Sequence, residues 1–385
     1  IAGSFERVGG LGRKILAFVY ADGRVSSWAP DPSGSVWALA LDRGTLFVVG
    51  SFANIAGKPR SRAAAFDVSS RRLLAWDPDV GGGPVLAVAA DSHRVYLGGY
   101  FSSVGGQTRY ALAAVDRETG DPTPWSPAGS GALVFAIAIG GDAVYVGGRF
   151  PVISGEVRSR LAAFDRSTNE LLPWRWTIET LPECYECGSG PFVRALVVAN
   201  GRLYFGGSFS HVDSTARSSL AAIDLETHAL TAWDPQATGA TPHYLYIYAL
   251  AAHGGAVYAG GNFDGLGGVA HANAGAVDAE TGRATDWYPK PNSEVHALAA
   301  TDDAVYIGGE FTSAWSWQQR NCLAALDART GALTSWNPGA PWGVTAMKLC
   351  GKTLYVAGAF DNVGGEPRQG IAALDAATGL ATPWN

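Results

Sequence analysis

The stretch G-G-Y-F-S-S-V-G-G-Q-T-R-Y-A-L-A-A-V-D-R-E-T-G-D-P-T-P-W, residues 98–125, decides the fold because versions of it recur along the whole chain. Its parts are G-x-F, a Gly-Gly pair, an arginine, A-A-x-D-x-x-T-G and a closing tryptophan, and they return about every 50 residues. The phenylalanine copies are Phe5, Phe52, Phe101, Phe150, Phe209, Phe263, Phe311 and Phe360. The tryptophan copies are Trp28, Trp76, Trp125, Trp174, Trp233, Trp287, Trp336 and Trp384. Self-similarity at this period indicates a repeat architecture.

Each copy contains short apolar runs separated by turn signals. In copy two the runs are residues 36–41, 46–52, 63–68 and 73–76. Four short strands per copy predict an all-β chain of four-stranded antiparallel blades, which is typical of a β-propeller. We expect one domain, residues 1–385, with eight blades and an incomplete first blade; seven blades are the alternative. The predicted blades are approximately 1–34, 35–83, 84–132, 133–191, 192–245, 246–294, 295–343 and 344–385.

Composition excludes several classes of protein. The 385 residues carry a net charge of −6 without charge runs, which gives no electrostatic reason to expect nucleic acid as a partner. No stretch approaches the length of an apolar membrane span, so none is expected. The chain begins at Ile1 inside a repeat, and we expect a processed chain or a segment of a longer one. Self-assembly by strand exchange could then complete the open blade.

Most of the repeated residues have an expected mechanical role. In D-x-x-T-G the aspartate should accept backbone N–H groups across a turn, and the glycine should supply a positive φ. The glycine two residues before each phenylalanine should permit close approach of a neighbouring backbone. The tryptophan should fill the wedge between adjacent blades.

The A-x-D-x-x-T-G…W phrase resembles the tryptophan-docking repeat of quinoprotein dehydrogenases and of their non-enzymatic, outer-membrane assembly relatives. The resemblance covers the whole chain and implies an eight-bladed propeller. Here four residues separate the glycine from the tryptophan, one more than in that family. The G-x-F…Gly-Gly part is similar to the delta-60-type repeats of secreted bacterial propellers. The resemblance indicates the fold much more specifically than an activity.

An arginine recurs eight residues after the phenylalanine. The copies are Arg13, Arg60, Arg109, Arg158, Arg217 and Arg368, with Arg320 displaced by one residue and His271 in its place in copy six. One interpretation is a ring of guanidinium groups for an anionic polymer. The other is an arginine that binds loop carbonyls or stacks on an aromatic ring in every blade.

Departures from the repeat are the better indicators of function. Large aromatic residues occupy loops expected on one face, in copies four, five and seven, and are predicted to bind a ligand: Trp176, Tyr185, Tyr244, Trp315, Trp317 and Trp342. Exposed rings in loops suit stacking on sugars or anchoring of a partner protein. The alternative is that these loops fold onto one another and close the channel mouth.

The second residue of each first strand should rim the channel. These residues are Trp37, Leu86, Phe135, Arg194, Tyr248, His296 and Thr345. Arg194, Tyr248 and His296 are added to the predicted ligand-binding residues because they bring polar groups to an otherwise apolar rim. Plain packing is the alternative.

Metal and cofactor chemistry has weaker support in the sequence. His211, His243, His271 and His296 are expected on one face and are candidate metal ligands, with Glu294 or Asp213 as an oxygen ligand. Solvated loop histidines are the alternative, so we predict no metal. Cys184 and Cys187 form C-x-x-C without a second such pair, which favours a local disulfide over a zinc site. The quinoprotein cysteine pair and acidic cluster are missing from the sequence, so no cofactor is expected.

These patterns together predict a bacterial propeller, extracellular or in the cell envelope, that acts as a binding or scaffold module. Its partner would be a glycan or another protein, engaged through blades four to seven. The alternative is an enzyme with its site at the channel mouth. That enzyme would be metal-dependent or quinoprotein-like, or would be a lyase or hydrolase that uses Glu179, Glu183 or Glu186.

Overall fold

The computed structural model describes residues 7–8, 11–12, 30–127, 131–180, 190–239, 245–315, 318–350, 352–358, 360–368 and 371–382. Within these ranges the regular secondary structure consists of strands joined by turns, without a helix. The described part therefore holds no apolar helix long enough to cross a bilayer. Copy one lies mostly outside these residues, so the predicted count of eight blades stays a prediction.

Copies two to eight each form one antiparallel sheet of three longer strands, and in copy three the two-residue strand Gln107–Thr108 joins the same sheet. In copies two to four these strands are Val36–Asp42, Thr45–Gly50 and Ala63–Asp67; Val80–Ala90, Arg94–Val104 and Leu112–Asp116; Leu133–Gly140, Ala143–Arg149 and Leu161–Asp165. In copies five and six they are Phe192–Ala199, Arg202–Ser208 and Leu220–Asp224; Tyr246–His253, Ala256–Asn262 and Ala274–Asp278. In copies seven and eight they are Val295–Ala300, Ala304–Gly309 and Leu323–Asp327; Val344–Cys350, Thr353–Gly358 and Ile371–Asp375.

The described residues also form two-residue strands, all of them outside these sheets except Gln107–Thr108. They are Arg7–Val8, Leu11–Gly12, Asn54–Ile55, Lys58–Pro59, Gln107–Thr108, Val152–Ile153, Glu156–Val157, Ile178–Glu179, His211–Val212, Thr215–Ala216, Ser313–Ala314, Gln318–Gln319, Asn362–Val363 and Glu366–Pro367. Most of them form tight hairpins between the second and third strands of a copy. These hairpins fill the loop that carries the Gly-Gly pair in the sequence.

The prediction of a fourth strand in each copy is wrong for copies two to eight, where the residues before the tryptophan do not form a strand. In its place each of copies two to eight has a single antiparallel bridge to the third strand, such as Val115 with Pro122. In copy three the Thr123 hydroxyl then donates to the Ala114 carbonyl, and Trp125 N donates to the Thr123 hydroxyl at 3.3 Å. In copies two and four Leu74 and Leu172 replace that threonine and the same single bridge forms, so the threonine is not required for this ending.

The aspartate turns form as predicted. In copy six, Asp278 Oδ1 accepts the backbone N–H groups of Glu280 and Thr281, at 3.1 and 2.7 Å. The closing glycine of that turn, Gly282, has φ +73°. Copies two, four and five hold the same positive φ without glycine, at Arg71, Asn169 and His228. The hydrogen bonds that the aspartate carboxylate accepts therefore define the turn, even where a residue other than glycine holds the positive φ at its end.

The repeated tryptophans join neighbouring copies. Trp76, Trp125, Trp233, Trp287 and Trp336 are buried, each edge-to-face with an aromatic ring of its own second strand at 5.1–5.7 Å. Three of them donate Nε1–H to the carbonyl of the aspartate that begins the turn of the next copy, at 2.9–3.0 Å: Trp76 to Asp116, Trp233 to Asp278 and Trp336 to Asp375. The predicted role of these rings between adjacent copies is confirmed.

The recurring arginine binds loop carbonyls. Its Nη1 donates to the carbonyl of the preceding residue, and its Nη2 donates to a carbonyl 14 residues further on, beside the tryptophan turn. Arg60, Arg109, Arg158, Arg217, Arg320 and Arg368 all do so. Of the two interpretations, the structural one describes these six arginines.

The described chain divides into two compact units. The first contains residues 26–178, and the second contains residues 179–385; short pieces of the N-terminal segment belong to each. In both units the core lies between consecutive copies. In the second unit, for example, Tyr204 and Trp233 of copy five pack with Ile247 and Val277 of copy six.

Candidate functional site

The first strand of each of copies two to eight contains a β-bulge. In copy six Ile247 pairs with Gly261 and Ala249 with Gly260, so Tyr248 has no partner across the ladder. The same break occurs at Arg194 in copy five and at His296 in copy seven. It also occurs at Trp37, Leu86, Phe135 and Thr345. A bulge re-aims the side chain that it carries and is frequent next to functional sites.

The glycine of G-x-F makes each bulge possible. A Cβ added to Gly261 would collide with the carbonyl oxygen of Tyr246, and one at Gly309 would collide with that of Glu294. Gly207 stands in the same way against Phe192. The predicted close backbone approach is therefore confirmed. The close approach of Gly261 to Tyr246 and Ile247 fixes the backbone there and so sets the direction of the next side chain, Tyr248, which lies in the bulge.

In the second unit three bulge residues of consecutive copies contact one another. The Arg194 guanidinium lies over the Tyr248 ring, 5.4 Å from its centroid. The Tyr248 and His296 rings follow with their centroids 4.8 Å apart. Tyr246 lies beside Tyr248 at 6.0 Å and stacks on Phe192 at 5.7 Å. We call Arg194, Tyr248 and His296 the bulge row.

Two carboxylates and an amide surround the bulge row. His296 Nε2 lies 3.8 Å from Glu294 and 3.5 Å from Glu310. The Asn262 side chain donates to Glu294 at 3.0 Å. Burial raises the pKa of Tyr248, and the charge of Glu294 and its hydrogen bond to the phenol add to that rise. Tyr248 is therefore a neutral hydroxyl group at physiological pH, able to donate and to accept.

Sequence reasoning missed Asn262 and Glu310. Both are the variable residue of G-x-F, which is serine in copies two and five. That position lies beside the bulge of its own copy or at the start of the next one, as the contacts of Glu310 and Asn262 illustrate. Variation at this position inside an otherwise regular repeat was the available signal.

The predicted loop aromatics differ in their exposure. Trp342 is 63% exposed, and the next residue, Gly343, lies close to the Glu310 side chain, where an added Cβ would be 3.3 Å from Cγ. Trp315 is half-buried, with φ +41°, and its N–H donates to the Pro289 carbonyl. Tyr185, Tyr244 and Trp317 lie outside the described residues.

The prediction of an exposed ring is wrong for Trp176, which is 4% exposed. Its ring lies edge-to-face against Trp174 at 5.3 Å. The chain then turns back onto copy four, because Thr177 bridges Ser159 and Arg160 donates to the Ile178 carbonyl at 3.2 Å. The insertion thus packs its second tryptophan inside the first unit.

The candidate metal ligands do not form a cluster in the described part of the chain. There, no three His, Cys, Asp or Glu side chains are arranged to hold a metal ion. His211 pairs with Ser210 at 2.8 Å, and His271 is buried against Tyr288 with the rings 4.3 Å apart. Burial lowers the pKa of His271, and Lys290 lowers it further. His243, Cys184 and Cys187 lie outside the described residues.

The first unit has a bulge position of different chemistry. Trp37 is a bulge residue that is 59% exposed, and Tyr100, the variable residue of G-x-F in copy three, is 58% exposed. The neighbouring bulge residues in that unit, Leu86 and Phe135, are apolar. Polar side chains are thus found at the bulge positions of the second unit, and aromatic or aliphatic ones at those of the first.

Comparison with known proteins supports the repeat assignment. A family model described as outer membrane protein assembly factor BamB matches residues 111–383. The computationally designed Ika8 protein is similar in structure, with 14% identity over 92% of this chain and 86% of that one and a TM-score of 0.58. BamB from Moraxella catarrhalis is similar with 15% identity over 89% of this chain and 92% of that one, TM-score 0.54. At such identities structural likeness shows the fold alone. No curated protein matches the sequence.

Proposed function

The chain belongs to the family of the outer membrane protein assembly factor BamB, a family of PQQ-like β-propeller repeats, and we propose that it is a protein-binding scaffold of the cell envelope. The binding surface is the bulge row together with Glu310 and Trp342. The family's name refers to assembly of outer-membrane proteins, which supports a protein as the partner and the envelope as the location.

The observation that carries this proposal is the composition and exposure of that surface. Arg194, Glu310 and Trp342 are exposed, and Tyr248 and His296 are partly exposed beside them. Arginine, tyrosine and tryptophan are the residue types that dominate binding energy in protein interfaces. A half-buried Tyr248 flanked by exposed charged groups has the arrangement of an interface centre with a polar rim.

The same surface is less suited to a glycan. A sugar that stacks on an aromatic side chain needs an open face of the ring. Here Arg194 covers one face of Tyr248, and His296 lies against the same ring. A protein segment can bring counter-charges as well as apolar contacts. Glycan binding, the alternative partner predicted from the sequence, is therefore the second outcome to be distinguished.

Site-specific photo-crosslinking tests the proposal. A photoreactive phenylalanine analogue replaces Trp342 in one variant and Leu380 in a control variant. Leu380 is similarly exposed, at 62%, but follows an aspartate turn. In cell-envelope extracts we expect one discrete protein adduct at position 342 that is absent at position 380. Tyr248→Ala in the same chain should abolish it, and the identified protein, once purified, should bind directly.

Three results would count against the proposal. Equal adducts at both positions would indicate collisional labelling. A direct complex that is insensitive to Tyr248→Ala would place the contact elsewhere. Retention of the chain on immobilised oligosaccharide, lost on Trp342→Ala, would favour the glycan.

A further inference from the structure

The charged groups along the bulge row occur in a definite order. Arg194 belongs to copy five, Tyr248 to copy six, and His296 and Glu310 to copy seven. The Arg194 guanidinium lies against Tyr248 at 5.4 Å, Tyr248 against His296 at 4.8 Å, and His296 within 3.5 Å of Glu310. The surface is therefore positive at one end, aromatic in the middle and negative at the other end.

The charged side chains at the two ends, Arg194 and Glu310, are more exposed than Glu294, which also contacts His296. The Glu310 side chain is 63% exposed, whereas that of Glu294 is 31% exposed and already accepts a hydrogen bond from Asn262. Arg194 is exposed as well. A partner can thus reach the two end charges, while Glu294 mainly serves to hold His296 and Tyr248.

Three successive contacts, of 5.4, 4.8 and 3.5 Å, join Arg194 to Glu310 and limit the separation of these two charges. Strand-like chain rises about 3.3 Å per residue, so an extended segment of about four residues is long enough to reach from Arg194 to Glu310. Alternate side chains of such a segment point the same way. Two charged side chains at the ends of the segment can therefore face Arg194 and Glu310, while an apolar one between them meets Tyr248 and His296.

We propose that this surface recognises an extended protein segment in which an acidic and a basic residue are separated by about four positions, with the acidic side chain at Arg194 and the basic one at Glu310. Charge complementarity thereby sets the direction in which the segment lies. The exposed Trp342 ring, next to Gly343 near Glu310, supplies a second aromatic face for the basic side chain. This inference rests on the proposed protein-binding function.

Synthetic peptides with opposite charge order test the inference on the full chain. The probes are acetyl-Glu-Ser-Leu-Ser-Lys-amide and acetyl-Lys-Ser-Leu-Ser-Glu-amide, with two controls in which both charged residues are Glu or both are Lys. Titration is followed by NMR of labelled protein. We expect both mixed peptides to bind about five- to tenfold more tightly than both controls, because either charge order can place its acidic residue at Arg194 and its basic residue at Glu310 by reversing the chain direction.

Single charge reversals provide the decisive comparison. In Arg194→Glu both ends are negative and the peptide with two Lys residues should become the preferred one, whereas in Glu310→Arg the peptide with two Glu residues should. Both side chains are exposed, so the thermal midpoint should stay near that of the wild type. If either variant does not fold, Arg194→Gln and Glu310→Gln should each reduce the preference for the mixed peptides. Equal binding of all peptides, no binding at millimolar concentration, or a preference unaffected by the reversals would refute the inference.

The failure of this inference is distinguishable from failure of the proposed function. If the crosslinked partner is lost on Tyr248→Ala but binds Arg194→Glu and Glu310→Arg unchanged, the charge pairing is wrong and the protein-binding function stands. If no partner adduct forms at position 342 at all, the function itself is wrong.

Discussion

Tyr248 and His296, which belong to different copies of the repeat, lie with their ring centroids 4.8 Å apart. Each occupies the bulge of its first strand, and each bulge faces a glycine that permits close backbone contact. The bulge that copies two to eight share thus brings three chemically different side chains together in the second unit: Arg194, Tyr248 and His296. The candidate site differs from the equivalent positions of the other copies in side-chain type.

We expect Gly261→Ala to disturb the placement of Tyr248. The new methyl group would meet the Tyr246 carbonyl oxygen and the Ile247 backbone, neither of which can move without breaking the sheet. Overpacking of this kind costs about 1–3 kcal/mol. The thermal midpoint should fall, and the Tyr248 ring resonances should shift.

Gly268→Ala is the matched control for Gly261→Ala. Gly268 has φ +85° and open space around the position of a Cβ, so the change adds backbone strain of about 1 kcal/mol but no collision. Its Tyr248 resonances should match those of the wild type. A Gly261→Ala protein with unshifted Tyr248 resonances would show that the glycine does not direct the bulge.

Copy six contains a second variation, at His271. Here a histidine stacked on Tyr288 replaces the recurring arginine, and Gly275 replaces the alanine found in copies such as copy seven, at Ala324. A Cβ at Gly275 would lie 2.9 Å from His271 Nδ1. We infer that the two substitutions are coupled. Gly275→Ala alone should destabilise the protein by about 1–3 kcal/mol.

A double-mutant cycle measures that coupling. In the His271→Arg background, Gly275→Ala should cost at least about 0.5 kcal/mol less than in the wild type, because the imidazole is no longer in the way. Chemical denaturation of the four proteins provides the values. Strictly additive costs would mean that Gly275 serves another purpose, such as room for Leu266.

Stability should depend on pH through the aspartate turns. Hydrogen bonds from Ser167 and Thr168 lower the pKa of Asp165 to about 2, whereas an unfolded aspartate has a pKa of about 3.9. The unfolded state therefore binds the proton first as the pH falls. The contribution of Asp165 is complete above pH about 4 and is lost as the pH falls through about 2.

Asp165→Ala should accordingly lower the thermal midpoint at pH 5, and the difference from the wild type should narrow towards pH 2. Calorimetric scans of both proteins across this range test the expectation. A difference that stays constant from pH 5 to pH 2 would show that ionisation of Asp165 does not stabilise the turn.

The repeat made much of the fold predictable. The roles of the turn aspartates such as Asp278, of Trp233 between copies and of Gly261 beside its neighbour follow from residue types that recur at fixed spacing, and the structure confirms them. The lack of a regular fourth strand was not predictable, because the apolar residues before each tryptophan, such as Leu73 and Leu74, fit a strand, yet only one bridge to the third strand forms. Hydrophobic periodicity does not distinguish a single bridge from a ladder.

The candidate site was predictable only in part. Strand position placed Arg194, Tyr248 and His296 on one rim, but the bulge that brings them into contact depends on the pairing register. The burial of Trp176 depends on how the insertion after Trp174 packs, which repeat comparison cannot supply because the other copies lack it. The sequence therefore does not predict the tertiary contacts of residues that occur in only one copy, such as Trp176.

Binding of the purified partner to three alanine variants tests the central claim most directly. Trp37→Ala is the control, since Trp37 occupies a bulge position in the first unit that is equivalent to that of Tyr248, and its exposed fraction is similar to that of Trp342. We predict that Tyr248→Ala and Trp342→Ala each weaken binding at least tenfold, about 1.4 kcal/mol, and that Trp37→Ala leaves it unchanged. Weakened binding in Trp37→Ala with wild-type affinity in the other two would contradict the account.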